Sequence, residues 1–288
     1  MTVTFDSTKG AIKLCTEPPC PICGLNVEFR YSILVMNQKS ADLLQCLNCK
    51  YLFIGEPDWL GDSFGTTLHS VDVGSVDRCL IVADFVEGLI RSEKIHNEKF
   101  LDWGGGYGLL ARILRDRGFD FASYDPFIEP LFVKKSVPSG VKEYKAVVVS
   151  EVLLHITEPL GFIRELFDES ETIVITALVP PKNVESTWWY LMPITGQHVS
   201  FFYTQTFQKI AQLTNAFYYS DNKFFHVLSK KKLKAHSRVL IRSRISMFGF
   251  ALLCYNTRVF KRMIGRSNSL TQSDSESEIL NNATKPGL

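Results

Sequence analysis

The sequence carries little net charge and has no long apolar run. Its 288 residues include 32 lysines and arginines against 30 aspartates and glutamates, a formal net charge of +2. Proteins that bind nucleic acid usually have a stronger basic bias, so nucleic acid is not the expected partner. No stretch approaches the roughly 18–20 apolar residues that a membrane-spanning helix requires.

The first residues also lack the pattern of a secretory signal. They contain no basic segment followed by an apolar one, and we therefore expect a cytoplasmic protein. Four of the seven cysteines form two C-x-x-C pairs. In a chain without a secretion signal, such pairs indicate metal binding rather than disulfide bonds.

The two cysteine pairs have the spacing of a four-thiolate zinc site. Cys20 and Cys23 form the first pair, and Cys46 and Cys49 form the second after a gap of 22 residues. Each pair can place two thiolates against one side of a metal ion, and two pairs complete a tetrahedron. We expect a zinc ribbon with a structural role, because four thiolates leave no open position for catalysis. The ribbon could also cover an active site or bind a partner.

Hydrophobic periodicity predicts an α/β domain after the ribbon. Apolar residues recur at helical spacing over residues 76–90, and strand-like and helical segments then alternate up to residue 228. The continuous apolar run at residues 146–149 is typical of a buried parallel strand. The alternation predicts a doubly wound sheet with helices on both faces.

A glycine-rich loop follows the first predicted strand of this domain. The segment from Asp102 to Gly108 reads D-W-G-G-G-Y-G and opens a predicted helix. Gly104, Gly106 and Gly108 allow the backbone to bend sharply and to approach a ligand closely, beside the free N–H groups of a helix start. Asp125 closes the next strand, where a carboxylate can accept hydrogen bonds from both ribose hydroxyls.

Two other interpretations of this loop remain open. A dinucleotide-dependent dehydrogenase uses similar geometry, but Asp102 would repel a pyrophosphate and suits a ligand with an amino group and a sulfonium. The spacing D-x-G-x-G-x-G also differs from the dinucleotide fingerprint G-x-G-x-x-G. The loop could alternatively be a tight turn that binds no ligand.

The glycine loop resembles motif I of the class I S-adenosylmethionine-dependent methyltransferases, and Asp125 resembles their ribose-binding acid. Residues 147–155, V-V-V-S-E-V-L-L-H, resemble the fourth-strand segment of that family, with Leu154 in place of a second glutamate. The resemblance implies S-adenosylmethionine as the cofactor, with Ser150 and Glu151 contacting it or holding the loop. The short interval before the fourth strand implies that the family's third strand is shortened or missing, so no adenine-binding acid is assigned.

Two further segments resemble a pattern from a bacterial subgroup of these enzymes that is tied to surface-glycan synthesis. They are W-W-Y at residues 188–190 and G-Q-H-V-S-F-F at residues 196–202. The resemblance implies a small-molecule or glycan acceptor, in particular a sugar hydroxyl or carbon in nucleotide-sugar or polysaccharide synthesis. The aromatic residues could stack on a sugar face or pack in the core.

Two histidines are the candidates for the chemistry of methyl transfer. Because the methyl donor is already activated, the protein must align the acceptor and remove a proton. His198 should lie beyond the carboxyl end of the sheet, where ligands bind, and is the first candidate for a base or substrate contact. His155 follows the fourth strand and is the second candidate. Either could instead be a structural histidine.

These observations predict a Rossmann-like doubly wound methyltransferase sheet with a small N-terminal zinc ribbon. The expected parts are a zinc ribbon region (1–60), a connector and leading helix (61–95), the cofactor-binding domain (96–230), a basic amphipathic segment (231–265) and a disordered tail (266–288). The basic segment could lie on the inner membrane surface as a peripheral contact, or pack on its own domain as a solvated helix.

Two other functions remain open. An RNA base methyltransferase could also join a zinc module to such a domain, but residues 20–49 contain only Arg30 and Lys39 as basic side chains, which argues against RNA. A non-catalytic regulator could bind the cofactor and dock through the ribbon. The intact glycine loop and Asp125 argue against loss of cofactor binding.

Overall fold

The computed structural model of the protein describes residues 2–6, 11–15, 18–64 and 74–242. Within these residues the chain forms a two-stranded hairpin, a four-stranded sheet and a six-stranded sheet. The strands, in chain order, are β1 (Thr2–Asp6), β2 (Ala11–Cys15), β3 (Val27–Val35), β4 (Lys39–Cys46), β5 (Leu52–Ile54), β6 (Lys99–Trp103), β7 (Asp120–Tyr124), β8 (Tyr144–Ser150), β9 (Ser170–Thr176), β10 (Ser200–Phe201), β11 (Phe217–Ser220) and β12 (Phe225–Ser229). The helices are α1 (Ser75–Glu93), α2 (Leu109–Asp116), α3 (Pro159–Glu169), α4 (Thr204–Leu213) and α5 (Ala235–Arg242).

The six-stranded sheet is the centre of the molecule, in the order β11-β12-β9-β8-β6-β7. Its strands β7, β6, β8 and β9 are parallel, and β12 runs antiparallel to both β9 and β11. Successive side chains of a strand point to opposite faces. Thus Val147 packs on one face of β8, in the core cluster that includes α3 and α4, and Val148 packs on the other with α1, α2 and α5. The predicted doubly wound α/β fold is confirmed.

Between β7 and β8 the chain forms no strand of its own. Residues 126–143 contain only an isolated parallel bridge from Lys135 to Ser123. The sheet therefore ends at β7, in agreement with the prediction that a third strand is shortened or missing. Several apolar side chains of this connection are exposed, among them Phe127 at 61% and Leu131 at 71%.

The cysteine-rich segment forms the antiparallel four-stranded sheet and shares a core with the central domain. Its order is β10-β5-β4-β3, so a strand from residues 200–201 completes a sheet that otherwise comes from residues 27–54. Leu43, Tyr51 and Phe53 lie in the same buried cluster as the apolar face of α3. This joint sheet fixes the cysteine-rich segment against the carboxyl end of the central sheet. The five-part division of the chain itself stays a prediction.

The predicted basic segment is described only as far as residue 242. Its first part forms α5, where Ser237 donates a hydrogen bond to Ser92 Oγ at 2.9 Å and the backbone N–H of Lys234 donates to Glu93 at 2.9 Å. The described part is therefore held on α1, and it lends no support to membrane contact. The rest of the segment and the predicted tail lie outside the described residues. No helix among the described residues has the length and apolarity to cross a membrane.

Candidate active site

The glycine-rich loop joins β6 to α2 at the carboxyl edge of the central sheet. Gly104, Gly106 and Gly108 have φ values of 72°, 54° and 85°, in the left-handed region that strains other residues. A Cβ on Gly104 would lie 2.4 Å from Val152 Cγ2, so the loop after β8 packs directly on this loop. The left-handed Gly108 immediately precedes the helix, which begins at Leu109.

Asp102 lies beneath the loop rather than at its surface and is only 1% exposed. A Cβ on Gly105 would lie 2.4 Å from both Asp102 Oδ2 and Ser123 Oγ. Both oxygens are buried without a hydrogen-bond partner among the residues that the structure describes. Burial raises the pKa of Asp102, the hydrogen bond from the Ala111 backbone lowers it and the charge of Asp125 raises it, which together bring the pKa to about 7. The buried carboxyl is thus poised to respond to a positive charge nearby.

Asp125 follows β7 and braces the same loop. Its Oδ2 accepts a hydrogen bond from the Gly106 backbone N–H at 3.0 Å. Its Oδ1 accepts from the N–H groups of Phe127 and Ile128 at 2.9 and 3.0 Å. An ionised carboxylate has about four acceptor positions, so this side chain can accept another donor without giving up the three bonds.

Ser150 and Glu151 end β8 beside the last residue of β9. Ser150 Oγ lies 3.3 Å from Thr176 Oγ1, and the Glu151 backbone N–H donates to the same Thr176 oxygen at 3.0 Å. Thr176 in turn donates to Glu151 Oε1 at 3.1 Å, and the Tyr190 hydroxyl donates to Oε2 at 2.7 Å. Protein donors therefore bind both oxygens of this carboxylate, which sits on a backbone with φ of 60°.

The structure brings the two predicted histidines together. The rings of His155 and His198 are perpendicular, with centroids 5.3 Å apart. His198 Nδ1 lies 2.7 Å from the Tyr190 carbonyl oxygen. Burial and the neighbouring His198 lower the pKa of His155 to about 3, so the His155 imidazole is neutral at physiological pH.

The predicted aromatic segment divides between core and surface. Tyr190 is buried, whereas the neighbouring Trp189 is 67% exposed. The Trp189 and Tyr190 rings meet edge to face with centroids 5.2 Å apart. Trp188 is half-buried and packs on Phe201 of β10. Core packing therefore describes Tyr190 and much of Trp188, whereas the exposed Trp189 ring is accessible to a ligand.

The four predicted zinc ligands converge on one point. The Sγ atoms of Cys20, Cys23, Cys46 and Cys49 all lie within 4.8 Å of one another. The Cys49 backbone N–H also points at Cys46 Sγ at 3.4 Å, a contact that favours a thiolate. The cluster is compatible with a small zinc site, and all four side chains are buried or half-buried.

Hydrogen bonds join the cysteine-rich sheet to the segment that carries His198. The Tyr51 hydroxyl oxygen lies 2.5 Å from Ser200 Oγ, and Ser200 Oγ donates a hydrogen bond to the Ile156 carbonyl oxygen at 2.6 Å. Thr206 donates to the Cys49 carbonyl at 2.9 Å. The chain that follows His198 is therefore held partly by the cysteine-rich segment. These connections were missed from the sequence, because no spacing pattern links the residues involved.

One family of known proteins is similar to the central part of the chain. Residues 81–217 match a family model described as a methyltransferase domain. No curated protein matches the sequence.

Solved structures with similar folds have low sequence identity. TnmH is 11% identical with a TM-score of 0.38, and the match covers 51% of this chain and 57% of TnmH. A chain in the complex between the Haloferax volcanii Trm112 methyltransferase activator and a methyltransferase is 13% identical, with a TM-score of 0.44 and coverage of 62% and 97%. Human N-acetylserotonin methyltransferase with bound S-adenosylmethionine is 10% identical, with a TM-score of 0.39 and coverage of 61% and 66%.

The chain thus spans 57% of the length of TnmH, and likeness at this level does not identify an acceptor. The family match covers β6 to α4 with the glycine loop between them, and so includes every element of the candidate site in the central sheet. Residues 81–217 of the chain are thus similar to a methyltransferase domain.

Proposed function

We propose that the protein transfers the methyl group of S-adenosylmethionine to a sugar hydroxyl or carbon, in nucleotide-sugar or surface-polysaccharide synthesis. The observation that carries the proposal is the close approach of the glycine loop to the segment that bears His155. Val152 packs against Gly104, and His155 follows three residues later beside His198. Ligands of open α/β sheets bind at this edge, so a cofactor and an acceptor base would meet here.

The residues of the loop fit the proposed cofactor. Gly104, Gly106 and Gly108 present bare backbone, and Asp125 keeps acceptor capacity for a ribose hydroxyl. Asp102 supplies a buried oxygen without a partner in the described part of the chain, and a cationic ligand would favour its ionised form. When bound, S-adenosylmethionine supplies an electrophilic methyl group on a sulfonium centre.

The polar residues at the end of β8 complete the proposed cofactor site. Ser150 is the last residue of β8, the strand next to β6, and Glu151 follows it, so both lie on the side of the sheet edge that the loop occupies. Ser150 is half-buried and can accept or donate one further hydrogen bond. Glu151 already binds the protein through both carboxylate oxygens, so its contribution would be to hold this edge in place.

His198 is the proposed general base. A carbonyl oxygen can only accept, so the 2.7 Å contact with Tyr190 requires a proton on His198 Nδ1. Nε2 then carries a lone pair and can take the proton of a sugar hydroxyl. His155 stays neutral beside it and would orient the acceptor without delivering a proton. A positioned base typically contributes about 10²–10⁴-fold to the rate.

Exposed Trp189 supports a carbohydrate acceptor. The ring lies one residue from Tyr190, whose carbonyl binds His198, so an apolar sugar face packed on it would lie next to the proposed base. This support adds to the subgroup resemblance of the sequence. The acceptor could be a free nucleotide sugar or a growing glycan.

Zn²⁺ is the proposed ion of the four-cysteine cluster. The four Sγ atoms lie within 4.8 Å of one another, and four thiolates around one Zn²⁺ would form a closed structural site. Its role here would be to stabilise the sheet of β3, β4 and β5, on which β10 and the chain around His198 depend. We propose no chemical step at the metal.

The test is methyl transfer from labelled S-adenosylmethionine to nucleotide sugars, glycans and RNA. We expect turnover with a sugar acceptor, and a loss of about 10²-fold or more in kcat for His198→Asn with unchanged affinity for S-adenosylhomocysteine. His236→Asn is the matched control, because His236 is exposed on α5 and bonds the Ser92 carbonyl. Turnover with RNA alone would refute the sugar acceptor, and an unchanged rate in His198→Asn would refute the base.

A further inference from the structure

Tyr190 connects the end of β8 to the proposed base through two different groups. Its hydroxyl donates to Glu151 Oε2 at 2.7 Å and accepts the Leu178 backbone N–H at 3.0 Å. Its carbonyl accepts the His198 Nδ1–H at 2.7 Å. The side chain is 3% exposed, so these bonds form out of contact with bulk water.

The hydroxyl end of Tyr190 is held in a fixed geometry. Both of its hydrogen-bonding functions are used, one as a donor and one as an acceptor. Glu151 is fixed in turn by Thr176, which accepts from its backbone and donates to its side chain. Glu151 has a φ of 60°, a conformation that a non-glycine residue keeps only when its surroundings determine it.

The other end of Tyr190 fixes the tautomer of His198. The Tyr190 and His198 rings also meet edge to face with centroids 5.0 Å apart, so the imidazole has a packing surface as well as a hydrogen bond. A carbonyl that stays in place holds the proton on Nδ1 and leaves Nε2 as the acceptor nitrogen. Movement of the Tyr190 backbone would weaken that preference.

We propose that Tyr190 is a positioning residue, anchored by Glu151, that holds His198 as the Nδ1–H tautomer with Nε2 ready to accept a proton. The proposal rests on the proposed function for its catalytic consequence. In the reaction the acceptor hydroxyl gives its proton to Nε2, which turns the imidazole into imidazolium. The acceptor oxygen forms a bond to the methyl carbon while the carbon–sulfur bond breaks and leaves its electron pair on sulfur.

This assignment gives Glu151 a different role from a direct cofactor ligand. If Glu151 acts through Tyr190, Glu151→Gln should lower kcat and leave the affinity for S-adenosylhomocysteine unchanged. If it binds the cofactor, the same variant should weaken that affinity. Measurements of kcat and of S-adenosylhomocysteine affinity in Glu151→Gln therefore distinguish a positioning role from direct cofactor binding.

The experiment compares Tyr190→Phe with the wild-type protein by long-range ¹⁵N–¹H spectra of the histidine rings. His198→Asn identifies the His198 signals. Tyr218→Phe is the matched control, because Tyr218 also offers its hydroxyl to a histidine, at 2.8 Å from His226 Nδ1, on β11 at the far edge of the sheet.

We expect one His198 tautomer, with the proton on Nδ1, in the wild-type protein and in Tyr218→Phe. Tyr190→Phe should show a mixture of tautomers and a loss of about 10- to 100-fold in kcat, with S-adenosylhomocysteine affinity unchanged. A wild-type His198 protonated on Nε2, or identical His198 spectra in both proteins, would overturn the proposal.

The spectra need no acceptor, so their outcome is independent of the sugar assignment. Failure of methyl transfer to every sugar would refute the proposed function. The histidine spectra would still test the role of Tyr190 independently. If Tyr190→Phe does not fold, Glu151→Gln provides the same spectral comparison. An unchanged kcat and an unchanged tautomer in that variant would also overturn the proposal.

Discussion

The buried carboxyl of Asp102 should make the protein less stable as the pH rises. Burial raises its pKa from 3.8 to about 7, so the native state keeps a proton that the unfolded chain has already lost. Stability rises with pH only where the unfolded state binds more protons, and here it binds fewer. The contribution of Asp102 is therefore fully favourable below the unfolded pKa and is lost as the pH rises through the folded pKa.

The magnitude follows from the shift. At about 1.36 kcal/mol per pKa unit, ionised Asp102 costs roughly 4 kcal/mol above pH 7, of which about 3 kcal/mol appears between pH 5 and pH 8. Asp102→Asn keeps the shape of the side chain and removes the titration. The wild-type protein should thus lose about 3 kcal/mol more than this variant over that range, or roughly 6–12 °C in Tm for a domain of this size.

Urea unfolding of both proteins at pH 5 and pH 8, without cofactor, measures this difference. All other titratable groups are common to the two proteins, so the comparison isolates the effect of the Asp102 carboxyl. Asp58→Asn is the matched control, because the Asp58 side chain is 74% exposed in its ion pair with Lys39. Equal pH dependence in Asp102→Asn and wild type, or a steeper loss in the variant, would refute the argument.

Three further changes have defined outcomes. Gly105→Ala places a Cβ 2.4 Å from two buried oxygens, so it should cost about 1–3 kcal/mol of stability in urea unfolding and abolish S-adenosylhomocysteine binding in calorimetry. Gly161→Ala is the control, because Gly161 in α3 has open space around it and its replacement should lower neither stability nor binding. Cys49→Ser should lower both the zinc content, measured by atomic absorption, and the Tm. Cys79→Ser is the control, because Cys79 lies outside the cluster and its replacement should leave the zinc content unchanged. His155→Gln should lose less stability than the wild-type protein as the pH falls. A histidine with a folded pKa of about 3 opposes folding once the pH falls below its unfolded pKa of 6.5. Equal loss of stability on acidification in both proteins, measured by unfolding at several pH values, would contradict this.

Local patterns predicted the central sheet and its loop well. The glycine spacing, the apolar run of β8 and the period of α1 are each set within a few residues, so the sequence contains the signal directly. The cysteine spacing likewise predicted a cluster that the structure brings within 4.8 Å.

Contacts between distant segments could not be predicted in this way. The bond from Tyr190 to Glu151 spans 39 residues, and that from Tyr51 to Ser200 spans 149. Both depend on how the cysteine-rich sheet and the chain around β10 fold over the carboxyl edge.

Calorimetric titration of the purified protein with S-adenosylhomocysteine and with NAD tests the cofactor site most directly. We predict binding of S-adenosylhomocysteine, no binding of NAD, and an affinity about 10-fold or more weaker in Asp125→Asn, because a hydrogen bond to a charged group contributes about 1.5–3 kcal/mol. Binding of NAD without S-adenosylhomocysteine, or equal affinity for S-adenosylhomocysteine in wild type and Asp125→Asn, would contradict the account.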